Sequence, residues 1–164
     1  DIGTGAGFPG VPLKIAFPHL EACLLDSLKK RVNFLEETFQ LLKLENITAI
    51  HGRAEEFAKN KAYRETYDLC VSRAVSNLAT LSEYCLPYVK TGGFFISYKS
   101  GTVQEEVEQA QKAVKILGGK IQDVVYFQLP DSEIQRSLVV IEKIKATPGR
   151  YPRKAGTPLK EPLS

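Results

Sequence analysis

The sequence is poor in the residues that build metal sites and disulfide frameworks. Its 164 residues include three cysteines, Cys23, Cys70 and Cys85, which lie far apart without a C-x-x-C pair, and only two isolated histidines. This pattern excludes a spaced zinc site and a disulfide-rich secreted domain, so we predict a cytoplasmic protein without a metal. No apolar run approaches the ~20 residues that span a bilayer, and no charged-then-apolar leader opens the chain, so we predict no membrane partner.

The sequence also lacks a strong excess of charge of one sign. The formal net charge is +3 and the sequence pI is about 8.7, which permits a polyanionic partner without demanding one. The last twenty residues, KATPGRYPRKAGTPLKEPLS, carry four prolines and five basic residues against one acid. We therefore predict a core over residues 1–144 and a basic, proline-rich C-terminal arm over residues 145–164, which is either a solvated extension or a segment that rests on phosphates.

The apolar pattern of the core alternates between strand and helix. Strands are predicted over residues 20–26, 46–52, 67–74, 93–99, 118–130 and 136–144, and helices lie between the earlier ones. We predict that Ser27 caps the helix after the first of these strands, and that Gly92 and Gly93 end the helix before the fourth. The order indicates an α/β fold with a mostly parallel sheet, closed by an antiparallel hairpin of the last two strands.

A glycine-rich run, DIGTGAGFPG, opens the chain and reads as a strand-to-helix turn whose backbone approaches a ligand. Gly5, Gly7 and Gly10 satisfy G-x-G-x-x-G, and the same run satisfies acid-x-G-x-G-x-G, so two kinds of nucleotide loop compete. A phosphate loop of the Walker A type is excluded, because Val11 and Pro12 stand where a lysine and a hydroxyl residue are required.

Three acids bear on which ligand the loop holds. Asp26 ends a predicted strand where a carboxylate reaches a ribose diol, a group that NAD and S-adenosylmethionine share. Asp1 suits the cationic amino-acid end of S-adenosylmethionine better than a pyrophosphate. Ala54 and Glu55 follow the next strand, where a backbone and a carboxylate can read an adenine. A turn-capping role for Asp1 and an ordinary first-turn position for Glu55 remain alternatives.

Several segments together resemble one known family. DIGTGAGFPG, LLDSLKKRVNFL, GRAEEF, VSRAVSNL and the basic YPRKAGTP segment are similar to the glucose-inhibited division protein B family of bacterial 16S ribosomal RNA guanine-N7 methyltransferases. The resemblance implies a Rossmann-like class I S-adenosylmethionine-dependent methyltransferase, with a mostly parallel seven-stranded sheet and an antiparallel terminal strand. The first strand and the N-terminal helices of that family are expected to be missing from this sequence.

The resemblance also implies a set of cofactor contacts. S-adenosylmethionine would be contacted by Gly3 and Phe8 of the loop, by Ala54 and Glu55 after the strand at residues 46–52, and by Arg73. Asp26 would bind the ribose. With the loop residues Asp1 and Gly5, the predicted cofactor site comprises Asp1, Gly3, Gly5, Phe8, Asp26, Ala54, Glu55 and Arg73.

Arg73, Lys99 and Arg136 are predicted to bind the substrate, since they lie near strand ends or in loops where they suit a phosphate or a guanine edge. Each is otherwise an ordinary surface cation. Guanine N7 carries an unprotonated lone pair and needs no general base, so no catalytic residue is assigned. We expect a monomer that acts on 16S ribosomal RNA or the small ribosomal subunit. The alternatives are an NAD-dependent Rossmann oxidoreductase and a non-catalytic RNA-binding module with the same fold.

Overall fold

Strands and helices alternate along the chain in a computed structural model that describes residues 1–73 and 76–164. The strands are β1 (Ala22–Asp26), β2 (Ile47–His51), β3 (Tyr67–Ser72), β4 (Val89–Ser100), β5 (Gly119–Gln128) and β6 (Gln135–Lys143). The helices are α1 (Gly10–Ala16), α2 (Lys29–Leu41), α3 (Ala54–Phe57), α4 (Leu78–Cys85), α5 (Gln104–Ile116) and α6 (Thr157–Lys160), with a 3-10 turn at Leu86–Tyr88.

The sheet is mixed, and its antiparallel pairs involve the last two strands. β1 and β2 pair in parallel, and the second group of strands has the order β3-β4-β6-β5. β3 and β4 are parallel, whereas β6 runs antiparallel to both β4 and β5. The predicted α/β fold and its closing antiparallel hairpin are therefore confirmed, with β6 inserted between β4 and β5.

Ile2 joins the two groups of strands. It forms a parallel bridge with Leu25 of β1, and its amide donates a hydrogen bond of 3.0 Å to the carbonyl of Val71 in β3. The hydroxyl of Ser72 donates to the carbonyl of Ile2 at 2.8 Å. The glycine loop that follows Ile2 thus begins between β1 and β3, at the centre of the sheet.

Two apolar clusters cover the sheet. Val32, Leu35 and Phe39 recur at helical spacing and bury one face of α2 against β1 and β2. The larger cluster lies where α4 and α5 pack on the longer strands, with Leu81 and Phe95 fully buried in it. The helical periodicity of the sequence therefore corresponds to the faces that are buried.

Two predicted helix ends are wrong. Gly92 and Gly93 do not end a helix, because α4 stops at Cys85 and both glycines lie inside β4, beside an irregularity in its pairing with β3. A Cβ on Gly93 would lie 2.5 Å from the carbonyl oxygen of Asp68, so glycine is required there by the close approach of β3. Ser27 does not cap α2, because the N-cap position is taken by Leu28, whose side chain cannot accept a hydrogen bond.

The C-terminal arm lies against the core. The Arg64 guanidinium donates to the carbonyls of Thr147 at 2.8 Å and Tyr151 at 2.9 Å, and Tyr151 is buried. The Arg153 guanidinium pairs with Glu83 of α4. The division at residue 145 stays a prediction. No helix within the described ranges is long and apolar enough to cross a bilayer.

Candidate functional site

A cleft opens at the carboxyl ends of β1 and β2, where the glycine loop enters the sheet. Its cavity volume is about 190 Å³. Its lining consists of Ile2, Gly3, Leu25, Asp26, Ser27, Gly52, Arg53, Ala54, Glu55, Ser76, Leu81 and Tyr84. β2 and β1 lie on one side of Ile2 and β3 and β4 on the other, so the cleft occupies the switch point at which open α/β sheets bind ligands.

The loop leads from Ile2 into α1, as the sequence predicts. Gly5 has a φ of +63°, and a Cβ placed on it would meet nothing within 4 Å. The loop backbone there is open to close approach by a ligand, and the positive φ favours glycine. The amide of Gly3 donates to the carbonyl of Leu25 at 2.9 Å, which ties the start of the loop to β1.

Asp26 ends β1 and holds the glycine loop by a hydrogen bond. Its carboxylate is buried, and Oδ2 accepts from the amide of Gly5 at 2.9 Å and from the Arg31 guanidinium at 3.3 Å. Oδ1 accepts from the amide of Leu28 at 2.9 Å. A carboxylate has about four acceptor positions, so these three bonds leave room for a hydroxyl donor from the cleft.

Glu55 stands in the first turn of α3, but it is not a surface acid. Only 2% of it is exposed, whereas its neighbour Glu56 is exposed. Its Oε1 accepts from the amide of Gly156 at 2.9 Å and from the Arg53 guanidinium at 3.3 Å. Within residues 1–73 and 76–164, the hydrogen bonds to this carboxylate all go to Oε1. Ala54 precedes it in the same lining.

Asp1 does not line the cleft. Its Oδ2 accepts from the Thr4 hydroxyl at 2.6 Å and from the amide of Gly10 at 2.9 Å, at the start of α1. These bonds are those of a turn-capping acid, the alternative that the sequence left open. A contact of Asp1 with the amino-acid end of a cofactor stays a prediction.

Phe8 and Arg73 form a pair beyond the loop. The Arg73 guanidinium lies over the Phe8 ring, 5.4 Å from its centroid, in a cation–π arrangement. Both side chains are exposed, and neither lines the cleft. Of the predicted cofactor residues, four line the cleft, namely Gly3, Asp26, Ala54 and Glu55, whereas Asp1, Gly5, Phe8 and Arg73 do not. Residues 74 and 75, in the middle of VSRAVSNL, lie outside the described residues.

Lys99 and Arg136 lie at the same edge of the sheet, at the end of β4 and the start of β6. The Lys99 ammonium donates to the carbonyl of Ser76 and to Glu106, both at 2.6 Å, and its side chain is only 10% exposed. It therefore holds Ser76 at the cleft wall, with its charge already paired. Arg136 is partly buried and faces Ser100 across the β4–β6 pairing.

The sequence missed Tyr84, which lines the cleft from α4. Burial raises the pKa of its hydroxyl, and the charge of Glu55 raises that pKa further, so the group remains a hydrogen-bond donor. The signal available was its position three residues after Leu81 on an apolar helix. Cys70 and Cys85 are both buried, and burial raises the pKa of the Cys85 thiol.

Comparison with solved structures shows the fold. The P. horikoshii TYW2 structure in complex with MeSAdo superposes with a TM-score of 0.69 at 12% identity, over 88% of this chain and 56% of the other. The M. jannaschii TYW2 structure in complex with AdoMet gives 0.65 at 15% identity, over 87% of this chain and 68% of the other. The predicted class I methyltransferase fold is confirmed.

Comparison with sequences shows the family. A protein named "Ribosomal RNA small subunit methyltransferase G" from Lachnoclostridium phytofermentans is 58% identical over 163 residues, 99% of this chain and 67% of the relative. A protein of the same name from Clostridium novyi is 55% identical over the same shares. The family model described as rRNA small subunit methyltransferase G matches residues 1–139. This is the family that the sequence motifs resemble, so that prediction is confirmed, and the chain belongs to the rRNA small subunit methyltransferase G family.

Proposed function

We propose that the protein transfers a methyl group from S-adenosylmethionine to N7 of a guanine in 16S ribosomal RNA. The observation that carries this proposal is the cleft at the switch point of the sheet, in which Asp26 and Glu55 present carboxylates in a chain of the rRNA small subunit methyltransferase G family. Family membership gives no support to an NAD-dependent oxidoreductase or to a non-catalytic RNA-binding module.

The cleft residues fit the nucleoside part of the cofactor. Asp26 has remaining acceptor capacity for a ribose hydroxyl, and Oε2 of Glu55, which has no partner in the described part of the chain, accepts from the adenine 6-amino group. The loop backbone at Gly3 and Gly5 permits close approach. Phe8 supplies an apolar wall beyond the loop. No metal enters this proposal.

The chemistry asks for alignment more than for acid–base groups. Bound S-adenosylmethionine supplies a methyl group on a sulfonium, which makes the methyl carbon electrophilic. Guanine N7 carries an in-plane lone pair and no proton, so the chain needs no general base for the attack. The protein's task is to hold N7 in line with the methyl group and to exclude water.

Substrate contacts must leave N7 unblocked. The Arg73 guanidinium, held over Phe8, contacts O6 of the guanine or a phosphate, because a hydrogen bond to N7 would occupy the nucleophilic lone pair. Arg136 takes a phosphate at the same sheet edge, and the exposed cations Lys154 and Lys160 of the C-terminal arm rest on the RNA backbone. The partner is ribosomal RNA of the small subunit, in the cytoplasm, and the protein acts as a monomer.

Transfer of labelled methyl from S-adenosylmethionine to small ribosomal subunits and to free 16S ribosomal RNA tests this proposal. After nuclease digestion, mass spectrometry identifies the modified nucleoside. We expect 7-methylguanosine, a strong loss of product with Asp26→Asn, and no change with Asp131→Asn, an exposed control in the β5–β6 turn. Label on another base or another guanine atom contradicts the proposal.

A further inference from the structure

The C-terminal arm contacts the cofactor cleft directly. Its residue Gly156, which precedes α6, donates its amide to Oε1 of Glu55 at 2.9 Å, across 101 residues of sequence. Gly156 has a φ of +85°, a conformation that side-chain-bearing residues rarely adopt. The carboxylate proposed to read the adenine is therefore hydrogen-bonded from outside the cleft by the arm.

Two anchors on α4 hold Gly156 in place. On one side, Arg153 donates from its amide and guanidinium to the fully buried Glu83, at 2.7 to 3.1 Å. On the other side, the hydroxyl of Thr80 donates to the carbonyl of Pro158 at 2.9 Å. α4 also contributes Leu81 and Tyr84 to the cleft, so the arm is attached to the same helix that forms one wall of the cleft.

The hydrogen bond from Gly156 makes the two oxygens of Glu55 different. Oε1 is occupied by Gly156 and by the Arg53 guanidinium, and Oε2 has no partner within the described ranges. A carboxylate bonded at one oxygen has its rotation restricted, so the other oxygen points in a fixed direction. Positioning by a rigid supporting contact is the usual means of making such recognition selective.

We infer that the C-terminal arm positions Glu55, so that the selectivity of the cleft for the adenine 6-amino group depends on the Gly156 amide. Gly156 is a positioning residue in this inference and does not touch the cofactor. The inference rests on the proposed function, in which Glu55 accepts from that amino group.

Two substitutions at Gly156 separate the amide from the rest of the arm. Gly156→Ala keeps the amide, and its added Cβ would meet nothing within 4 Å, although the positive φ strains an alanine there. Gly156→Pro removes the amide and cannot adopt a positive φ. Calorimetric titration measures the affinity for S-adenosylhomocysteine and for the same molecule with hydrogen in place of the adenine 6-amino group.

We expect the wild-type protein to prefer the amino-bearing ligand by about tenfold or more, since a charged hydrogen bond distinguishes the two. Gly156→Ala should retain most of this preference. Gly156→Pro should lower it to nearly one by weakening only the amino-bearing ligand, with the affinity for the purine analogue kept within about twofold.

The possible failures are distinguishable. A Gly156→Pro protein that keeps the preference overturns the inference alone, and so does one that loses affinity for both ligands equally, because the arm would then serve only the fold. A wild-type protein that binds both ligands equally contradicts the reading of adenine by Glu55, and with it this part of the proposed function.

A second measurement needs no variant and decides the matter if Gly156→Pro does not fold. At saturation, S-adenosylhomocysteine should slow hydrogen exchange of the Gly156 amide more than the purine analogue does, because only the first ligand bonds the opposite oxygen of Glu55. Equal exchange with the two ligands overturns the inference.

Discussion

The ion pair between Glu83 and Arg153 gives the sharpest test of how the C-terminal arm is attached. Glu83 is fully buried on α4, and Arg153 supplies its guanidinium bonds and one amide bond. Arg153→Ala would leave the carboxylate buried with the amide as its remaining partner. Loss of one partner of a buried pair typically costs 3–5 kcal/mol, and the 24% exposure of the Arg153 side chain favours the lower end, about 3 kcal/mol.

This loss is a large share of the stability of an ordinary domain, roughly 5–15 kcal/mol. Urea unfolding followed by far-UV circular dichroism measures it, and the midpoint of thermal unfolding should fall by about 6–12 °C. Lys154→Ala is the matched control, an exposed cation next in the chain, and should change the free energy of unfolding by less than about 0.5 kcal/mol.

A double variant isolates the cause. Adding Glu83→Leu to Arg153→Ala removes the buried charge, so at least half of the lost stability should return. A loss below about 1 kcal/mol in Arg153→Ala would refute the buried pair. A double variant no more stable than Arg153→Ala would show that packing, and not an uncompensated charge, carries the effect.

Two further predictions concern the contacts between the core and the arm. Burial acts to raise the pKa of Glu65, but hydrogen bonds from the Thr147 amide and the Lys143 ammonium outweigh it, so the pKa is lowered from 4.5. A carboxylate whose pKa is lowered on folding stabilises the protein at pH values above its unfolded-state pKa. This stabilisation is lost as the pH falls through the folded-state pKa. The difference in unfolding free energy between wild type and Glu65→Gln should therefore be larger at neutral pH than at about pH 3, and a pH-independent difference would contradict it. A Cβ on Gly118 would clash with the carbonyl oxygen of Lys145, so Gly118→Ala should cost more than about 2 kcal/mol in urea unfolding. Gly92 has a similar φ but open space around it, so Gly92→Ala should cost about 1 kcal/mol. Equal costs for these two variants would refute the steric argument.

Much of the fold could be predicted from the sequence because its elements carry local signals. The spacing of Val32, Leu35 and Phe39 marks a buried helical face, and the continuous apolar run before Asp26 marks a strand buried on both sides. The end of α4 could not be read from Gly92 and Gly93, because what those glycines satisfy is the approach of the neighbouring strand.

The candidate site was predictable where a residue acts at a strand end, and less so where its role is set by distant partners. The position of Asp26 follows from the strand that precedes it. Glu55 looks like one of two first-turn acids in the sequence, and only tertiary packing distinguishes it from Glu56. The pairing of Glu83 with Arg153 joins residues 70 positions apart, so an apolar helix with one acid and a basic arm gave no local sign of it.

The central claim is that the cleft between Asp26 and Glu55 binds S-adenosylmethionine. Calorimetric titration of the protein with S-adenosylhomocysteine and, separately, with NAD tests it most directly. The account predicts binding of S-adenosylhomocysteine that Asp26→Asn weakens by about tenfold or more, and no binding of NAD. Binding of NAD without binding of S-adenosylhomocysteine would contradict it.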